Sequence, residues 1–483
     1  MSRGRTVLAL DLPQPVMPGA TKLEAGYQSL RDAILEQRLA ADSLLPSTRV
    51  LAERWHMARG TLEVVYERLR AEGYIVRRSG SGSRVCAVVP DRLLAAAGAG
   101  ASLPAPAPSV PSAETRVRVG VPFLARLPDP ALFSAQAWAR HLARGLASTA
   151  AADLGHATAQ GLPALREHLA TYLARHRGIS CSAESLIITH GIRDTLDLVA
   201  NTVLRAGDAV AVEDPGYLTA GALFEQAGAR LQPLALDGDG LISEGLEAVD
   251  ARLLYLTPAH QSPSGATLPV SRRLAILAWA ERRAAWVIED DYDSEFNYHG
   301  APLPALKALD RDERVVYCGS FNKTLFAGLR IGYLIAPPAL RGALLARIEA
   351  SGRAVGVVEQ AAVAQLIASG AFLRHLRIAR QAYQQRRDLL LDILAKGAPG
   401  RYRVQGEHAG LHCLLALDDS IDEGALCDRA AQEGLLLQPL RQFCRQATPG
   451  PAVVLGYAAL TLAQVCLAGR QLAALLREGH PGR

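Results

Sequence analysis

Lysine is almost absent from this chain of 483 residues, so arginine supplies most of the 52 positively charged side chains. The lysines are Lys22, Lys307, Lys323 and Lys396. Three of them stand among charged, polar or loop-like residues. Lys323 instead stands between apolar runs, in the stretch "YCGSFNKTLFAGLRIGYL" at 317–334. Because lysine is rarely placed among apolar residues, this amine needs a role other than solubility.

Cysteine is also scarce, and the seven cysteines form no C-x-x-C pair. This dispersed, odd-numbered set excludes a disulfide framework and predicts reduced thiols. No uncharged apolar run approaches the roughly 20 residues of a membrane span, and the first residues contain no continuous apolar signal core. We therefore expect a cytoplasmic protein without membrane contact. His408 and His412 lie four apart in strand-like sequence, so we expect no metal site there.

The positive charge is concentrated at one end of the chain. Residues 1–86 contain 13 lysines and arginines against 9 aspartates and glutamates, whereas residues 87–483 contain 39 against 38. A small basic module beside a nearly neutral one predicts nucleic-acid binding at the N-terminus. An Ala/Pro-rich stretch between them predicts a linker. We therefore divide the chain into a DNA-binding domain at 1–87, a linker at 88–115 and a larger domain at 116–483.

The first 87 residues show the pattern of a winged helix-turn-helix. The stretch "TKLEAGYQSLRDAILEQRLA" has apolar residues at intervals of four, three and four, which predicts a helix. "LPSTRVLAERW" and "RGTLEVVYERLRAEG" predict two more helices, separated by three residues. "YIVRRSGSGSRVCAVV" predicts a hairpin. In such a pair of helices, the second enters the major groove with its first turn.

Arginines and a glycine stand where this arrangement would meet DNA. Arginine can bond a guanine edge in a fork or hold a phosphate, and glycine lets the backbone approach closely. The candidate contacts on the helix pair and the wing are Arg49, Arg59, Gly60, Thr61, Arg77 and Arg78. A solvated helical module used for protein contacts is the alternative. The short turn, the wing and the charge asymmetry favour double-stranded operator DNA.

Three stretches of this module resemble the winged helix of GntR-type regulators: "LPSTRVLAERW", "ARGTLEVVYERLRAEGYI" and "RRSGSGSRV". The resemblance implies DNA contacts at Arg49, Arg59, Thr61 and Gly80. The turn "RWHMARGTL" departs from the commoner sequence of that family, so we expect a different base preference.

From residue 116 onward, β-rich runs alternate with amphipathic stretches, which predicts an α/β domain with a mostly parallel sheet. In open α/β sheets, ligands bind at the carboxyl ends of the strands. The candidate ligand-binding residues are therefore those that follow the predicted strands "LIIT", "AVAVED", "AAWVIE" and "RVVYC". They are, in chain order, Gly191 and Ile192 at a helix start, Tyr217, Asp290, Tyr292, Ser320, Lys323 and Arg330.

This set of side chains fits pyridoxal phosphate (PLP). An amine can form an imine with its aldehyde, and a carboxylate can keep the pyridine nitrogen protonated. A phenol can bond the ring hydroxyl or stack on the ring, while a hydroxyl, an arginine and a helix N-terminus can hold the phosphate. Each piece alone is a weak signal. Their combination, in order and at strand ends, predicts the cofactor.

The stretches "IEDDYDSEFNYHGAPLPALKALD" and "VVYCGSFNKTLFAGLRIGYL" resemble the fold-type I aminotransferase-like domain of MocR-type regulators. That family fuses this domain to a GntR-type winged helix in the same order, and the resemblance spans nearly the whole chain. It implies an α/β fold with a mostly parallel large-domain sheet and a small C-terminal α+β domain. It also implies a head-to-tail homodimer, in which each winged helix lies against the other chain's large domain.

The same resemblance implies a role for each candidate. Lys323 would carry PLP as an aldimine, Asp290 would face the pyridine nitrogen, Tyr292 would bond the ring hydroxyl and Tyr217 would stack on the ring. The phosphate ligands would be Ser320, Arg330, Gly191 and Ile192.

Several positions depart from the aminotransferase pattern. Ser262 replaces an asparagine that bonds the ring hydroxyl, Asn322 replaces a serine and Arg193 replaces a glutamine. Val454 and Thr219 stand where GABA-responsive relatives carry arginines. Without these guanidinium groups, a bound carboxylate loses strong charge-assisted hydrogen bonds. We therefore expect neither efficient transamination nor a response to GABA.

Together these observations predict a PLP-dependent transcription regulator. Its large domain would sense a small amine, an amino acid or PLP itself, with at most residual transaminase chemistry. One alternative is a genuine aminotransferase that carries a fused DNA-binding module, which turnover assays would reveal. Another is a regulator whose large domain is a cofactor-free dimerisation scaffold, which a borohydride-sensitive absorbance band would exclude.

Overall fold

The computed structural model describes residues 12–15, 19–78, 82–87, 121–298 and 304–478. The chain divides into two compact units, one at 1–115 and one at 116–483. The linker predicted at 88–115 lies outside the described residues, as does Gly80 of the predicted wing.

The N-terminal unit contains three helices and a hairpin: α1 Lys22–Leu35, α2 Thr48–Trp55, α3 Arg59–Ala71, β1 Ile75–Arg78 and β2 Gly82–Val85. Ser47 begins α2, since its Oγ accepts a hydrogen bond from the Val50 N–H at 3.3 Å. His56 ends the helix in the left-handed conformation. The strands β1 and β2 pair antiparallel. The predicted winged helix-turn-helix is confirmed.

One apolar core holds these elements together. Leu30 of α1 and Leu62 and Val65 of α3 are fully buried in it. Trp55 joins them, and its indole N–H donates to the Leu12 carbonyl at 3.3 Å. Each such side chain contributes roughly 1.5–3 kcal/mol on burial. This packing fixes the orientation of α3 and leaves its polar face, which begins at Arg59, exposed.

The large unit is built on an eight-stranded sheet: β3 Leu186–Thr189, β4 Ala209–Asp214, β5 Arg230–Asp237, β6 Gly240–Leu241, β7 Leu253–Leu256, β8 Trp286–Asp291, β9 Val315–Ser320 and β10 Gly332–Ile335. The strand order is β3-β10-β9-β8-β7-β4-β5-β6. The strands from β9 to β5 in that order are mutually parallel. The strand β10 is antiparallel to both neighbours, and β6 is antiparallel to β5. The predicted mostly parallel sheet is confirmed.

The helices of the large unit up to residue 397 are α4 Ala135–Ser148, α5 Ala151–Gly155, α6 Pro163–Arg177, α7 Ile192–Val203, α8 Leu218–Gln226, α9 Val270–Arg283, α10 Leu306–Leu309, α11 Phe321–Thr324, α12 Pro338–Ser351, α13 Val357–Ala368 and α14 Ala371–Gly397. Alternate residues of β4 enter two different clusters, with Val210 and Val212 in one and Ala209 and Ala211 in the other. Both faces are therefore buried, as in parallel sheets generally.

A smaller antiparallel sheet follows, with two helices: β11 Tyr402–Gln405, β12 His412–Leu417, α15 Glu423–Gln432, β13 Gln438–Pro439, β14 Ala452–Gly456 and α16 Leu462–Glu478. Its strand order is β11-β12-β14-β13. This is the predicted C-terminal α+β domain. Among the described helices, none combines the length and the apolar character that crossing a membrane requires.

Candidate cofactor site and DNA-binding module

The carboxyl ends of β8 and β9 bring a buried acid close to the lysine. Asp290 pairs with Cys318 across the two strands, and Lys323 follows β9 in the short helix α11. The Oγ of Ser320 accepts a hydrogen bond from the Asn322 N–H at 3.2 Å and so fixes the start of that helix. The strand therefore delivers the amine at the sheet edge where the sequence placed it.

The amine of Lys323 is held inside the protein. Its Nζ donates to the backbone carbonyl of Arg126 at 2.6 Å. Burial, and then the positive charge of Arg126, lowers the pKa of Lys323 to about 8. Compared with an ordinary lysine, this raises the fraction of neutral amine near neutral pH by about two orders of magnitude. A neutral amine is the nucleophilic form.

Asp290 is a buried acid at the end of β8. The Tyr255 hydroxyl donates to its Oδ2 at 2.7 Å. Burial raises the pKa of Asp290 to about 7, and the neighbouring Asp291 and Asp293 act in the same direction. A carboxyl group in this state gains most from a cationic partner, which a protonated pyridine nitrogen provides. The residue therefore fits the predicted partner of the PLP ring.

The two predicted tyrosines lie at neighbouring strand ends. Tyr292 directly follows β8, and its hydroxyl lies 3.3 Å from Nδ1 of His260. Burial and Asp293 raise the pKa of Tyr292, so the phenol keeps its proton and can donate. Tyr217 is half-buried just beyond β4, at the residue that begins α8. Both positions fit ring contacts.

Strand register brings the predicted phosphate ligands together. Gly332 pairs with Ser320 on one side and with Thr189 on the other. Gly191 lies two residues past Thr189 at the start of α7, and Arg330 lies two residues before Gly332. A Cβ on Gly332 would approach the Gly191 Cα at 2.8 Å, which shows how closely these segments pack.

Each of these ligands has a group to offer an anion. Gly191 has a φ of 96° and leads directly into Ile192, the first residue of α7. The N–H groups of a helix start favour negative charge. The Arg330 side chain is exposed and has no acidic partner among the described residues. The site thus fits the dianionic phosphate of PLP.

A second group of residues in the site was not predicted. It consists of Arg126, Tyr255, His260, Asp293 and His412. Arg126 lies 136 residues before the serine that it contacts, Ser262, to whose Oγ its Nη1 donates at 3.0 Å. No local motif marks these residues, because only the fold brings them near Lys323.

Three of these residues form a buried cluster whose ligand atoms lie within 4.8 Å of one another: His260, Asp293 and His412. Both ring nitrogens of His260 are engaged, Nδ1 with Asp293 and Nε2 with the Gly406 carbonyl, each at 3.1 Å. Burial opposes the charged form, but Asp293 outweighs it and raises the pKa of His260. Because both nitrogens of His260 are already engaged, the cluster is explained by hydrogen bonding within the protein. The expectation of no metal site at His408 and His412 stays a prediction.

The DNA candidates lie on the surface of the N-terminal unit. Arg49 and Arg59 are exposed and pair with Glu53 and Glu63 on their own helices, at 3.6 and 3.0 Å. A Cβ on Gly60 would meet no atom within 4 Å, so the first turn of α3 is open. Such exposed pairs contribute little to stability, and both arginines are free to turn towards DNA. The Arg78 side chain lies outside the described residues.

Comparison with known proteins agrees with this architecture. Residues 129–455 match the family "Aminotransferase class I and II", and residues 24–85 match "Bacterial regulatory proteins, gntR family". The chain is 33% identical over 440 residues to the "Probable rhizopine catabolism regulatory protein MocR" of Rhizobium meliloti, covering 90% of this chain and 89% of the relative.

Two further proteins show the same relationship. The "HTH-type pyridoxine biosynthesis transcriptional regulator PdxR" of Corynebacterium glutamicum is 32% identical over 430 residues, covering 89% of this chain and 90% of the relative. The crystal structure of Pyrococcus horikoshii kynurenine aminotransferase in complex with PMP superposes with a TM-score of 0.69 at 26% identity, covering 76% of this chain and 93% of that chain.

Fold and site together define a DNA-binding winged helix joined to a PLP-binding domain of the aminotransferase fold. The chain belongs to the MocR-type transcription regulators, and its large unit belongs to the aminotransferase class I and II family. It is a PLP-dependent regulator of transcription.

Proposed function

We propose that the large unit is an effector sensor and that Lys323 is its centre. When bound, the cofactor supplies an aldehyde that amines can bind covalently. The chain's own contribution is a neutral amine, which burial favours at Lys323, and a carboxyl at Asp290 to hold the ring nitrogen. Tyr292 and Tyr217 would contact the ring, and the phosphate would bind Ser320, Arg330 and the N–H groups of Gly191 and Ile192.

One observation carries this proposal. Lys323, the lysine that stands between apolar runs, and Asp290, a buried acid with a pKa of about 7, lie at the neighbouring carboxyl ends of β9 and β8. A purely structural pair would be expected to form an ion pair, but Lys323 donates to a backbone carbonyl instead. The purified protein should therefore show a visible absorbance band that borohydride fixes onto Lys323, as peptide mass spectrometry would reveal. A protein that stays colourless with added PLP would contradict the proposal.

We propose that the effector is a small amine, an amino acid or PLP itself, and that it acts by altering operator binding in the cytoplasm. Two copies of the chain, arranged head to tail, would present two winged helices to paired half-sites. Transamination would be residual. Turnover assays against a panel of amino donors test that point, because sustained product formation would make the protein an enzyme.

Operator binding should depend on the first turn of α3. Arg59→Ala should weaken binding to a selected operator by about 10- to 100-fold, because a forked contact to guanine contributes about 1–3 kcal/mol of discrimination. Similar proposals extend to Arg49, Gly60 and Thr61 on the helices, and to Arg77, Arg78 and Gly80 on the wing. The measurement is a gel-shift titration with DNA selected from a random library.

The matched control is Arg38→Ala, which removes one exposed positive charge elsewhere in the same unit. This substitution should change operator affinity only slightly, because the charge is distant from the proposed DNA contacts. Operator affinity should fall steeply with salt in all variants. Equal effects of the two substitutions would place the DNA contacts elsewhere on the module.

A further inference from the structure

Arg126 lies in the cofactor site, although no sequence motif marks its segment of the chain. Its backbone carbonyl accepts the hydrogen bond from Lys323, and its guanidinium donates to Ser262 at 3.0 Å. The positive charge of Arg126 acts on three neighbours, and its contribution to each pKa is a lowering one: Tyr292, Lys323 and His412. The side chain is thus part of the site rather than of the surface around it.

The backbone at Arg126 is unusual for an arginine. Its φ is 63°, in the left-handed region, where a residue with a Cβ pays roughly 1–2 kcal/mol relative to the right-handed form. Glycine would adopt this conformation without that cost. Strain of this kind persists at functional sites, so the presence of a guanidinium here calls for a function.

The charge of Arg126 is not neutralised. No carboxylate lies within ion-pair distance of it in the part of the chain that the structure describes. Its guanidinium carbon lies 5.0 Å from the centre of the Phe443 ring, a cation–π contact that holds the group in place. Val454, the position where arginine is missing, lies in the same apolar cluster as Phe443 and Ala125, the residue before Arg126.

A second polar group in the site is incompletely paired. His412 is fully buried, and its ring nitrogens form no well-aligned hydrogen bond among the described residues, although a backbone contact with Pro263 acts on its pKa. Burial, then His260 and Arg126, holds its pKa well below the usual range. The neutral imidazole offers one donor and one acceptor. Since buried polar groups are almost always paired, a ligand that brings polar atoms would satisfy it.

We propose that Arg126 recognises the carboxylate of an amino-acid effector whose amine reaches Lys323. The inference rests on the proposed sensor function and narrows the effector from amines in general to amino acids. It also revises the expectation from Val454 and Thr219 that the site has no guanidinium for a carboxylate. Arg126 supplies this guanidinium from a distant part of the chain.

The test uses the full-length protein loaded with PLP and matched pairs of ligands. Each pair is an amino acid and the amine that lacks its carboxylate: L-alanine and ethylamine, 4-aminobutanoate and propylamine, and L-leucine and isoamylamine. The readout is the apparent Kd from the shift of the visible band. In at least one pair the amino acid should bind about 10- to 100-fold more tightly, as expected for a charge-assisted hydrogen bond.

Arg126→Gly is the decisive variant, because glycine suits a φ of 63° and the fold should not lose stability. It should abolish the preference for the amino acid, so that the amino acid and the amine of each pair bind with the same apparent Kd. Arg311→Gln, at an exposed position without a described partner, is the control and should keep the preference.

The outcomes are separable. Equal binding of both members of every pair, or an Arg126→Gly variant that keeps the preference, would overturn the role of Arg126 and leave the sensor function standing. A protein without any visible band would overturn both.

Discussion

Lys323→Ala should give a regulator that still binds its operator but no longer responds to its effector. The substitution removes the one amine that the fold places at the carboxyl end of β9, so borohydride should fix no cofactor to the chain. The proposed phosphate ligands do not depend on the amine. Added PLP should therefore still bind reversibly and be lost on dialysis.

The expected loss of covalent attachment is complete, whereas basal operator affinity should stay within about twofold, because the DNA contacts lie in a separate unit. Absorbance, intact mass after borohydride and gel shift with and without amino acids measure the three quantities. Lys396→Ala is the matched control, since that lysine is exposed and pairs with Asp392 at the surface. A Lys323→Ala protein that still answers an amine would show that the effector acts elsewhere.

The second large effect concerns stability. Arg177, at the end of α6, donates to Oδ2 of Asp291 at 2.5 Å, and both side chains are almost fully buried. The Tyr317 hydroxyl donates to the same oxygen at 2.7 Å. Arg177→Met removes the guanidinium that neutralises the buried Asp291 charge and leaves the hydroxyl groups of Tyr317 and Ser294 as partners. We expect a loss of about 3–5 kcal/mol in the free energy of unfolding.

Urea denaturation followed by the cofactor absorbance measures this loss in the large unit alone. Arg282→Met is the control, because it breaks an exposed pair with Glu247 and should cost less than about 1 kcal/mol. The double variant Arg177→Met with Asp291→Leu should recover much of the loss, since no buried charge remains. A loss of the same size in the control and in Arg177→Met would contradict this account.

The same pair predicts a pH dependence. Burial opposes the charge of Asp291, but Arg177 outweighs it and lowers the pKa of the carboxyl in the folded protein. The unfolded chain therefore takes up protons first as pH falls. The stability from this pair is fully present above the unfolded value of about 4 and is lost as pH falls through the folded value.

Much of the fold follows from local sequence. The alternation of buried strands and amphipathic helices predicted the parallel sheet, and the spacing around "HMA" predicted the turn between α2 and α3, because these patterns are set by periodicity and by short-range capping. The strand order could not be derived, since it depends on which strands pair across long stretches of chain. For example, β10 inserts between β9 and β3, an order that no local pattern specifies.

The residues of the candidate site also fall into two groups: those that local sequence indicates and those that only tertiary contacts bring together. Asp290, Tyr292, Ser320 and Lys323 could be proposed from the sequence because they stand at the carboxyl ends of two strands, β8 and β9. Arg126 could not, because it lies in irregular sequence whose position is fixed only by tertiary contacts. The absence of arginine at Val454 suggested a site without a carboxylate ligand. Under the proposal above, Arg126 supplies that guanidinium from a distant part of the chain.

Because the chain contains so few lysines, their signals should be well separated in a nuclear magnetic resonance spectrum. The four ammonium groups occupy distinct surroundings: Lys22 is exposed, Lys396 is paired at the surface, Lys307 is enclosed by Asp310 and Glu313, and Lys323 is half-buried. Isotope labelling of lysine side chains alone would give four resonances in a chain of 51.4 kDa. In the protein without cofactor, the Lys323 signal should titrate near pH 8. It should move when the cofactor binds the amine, so the spectrum would report cofactor occupancy directly.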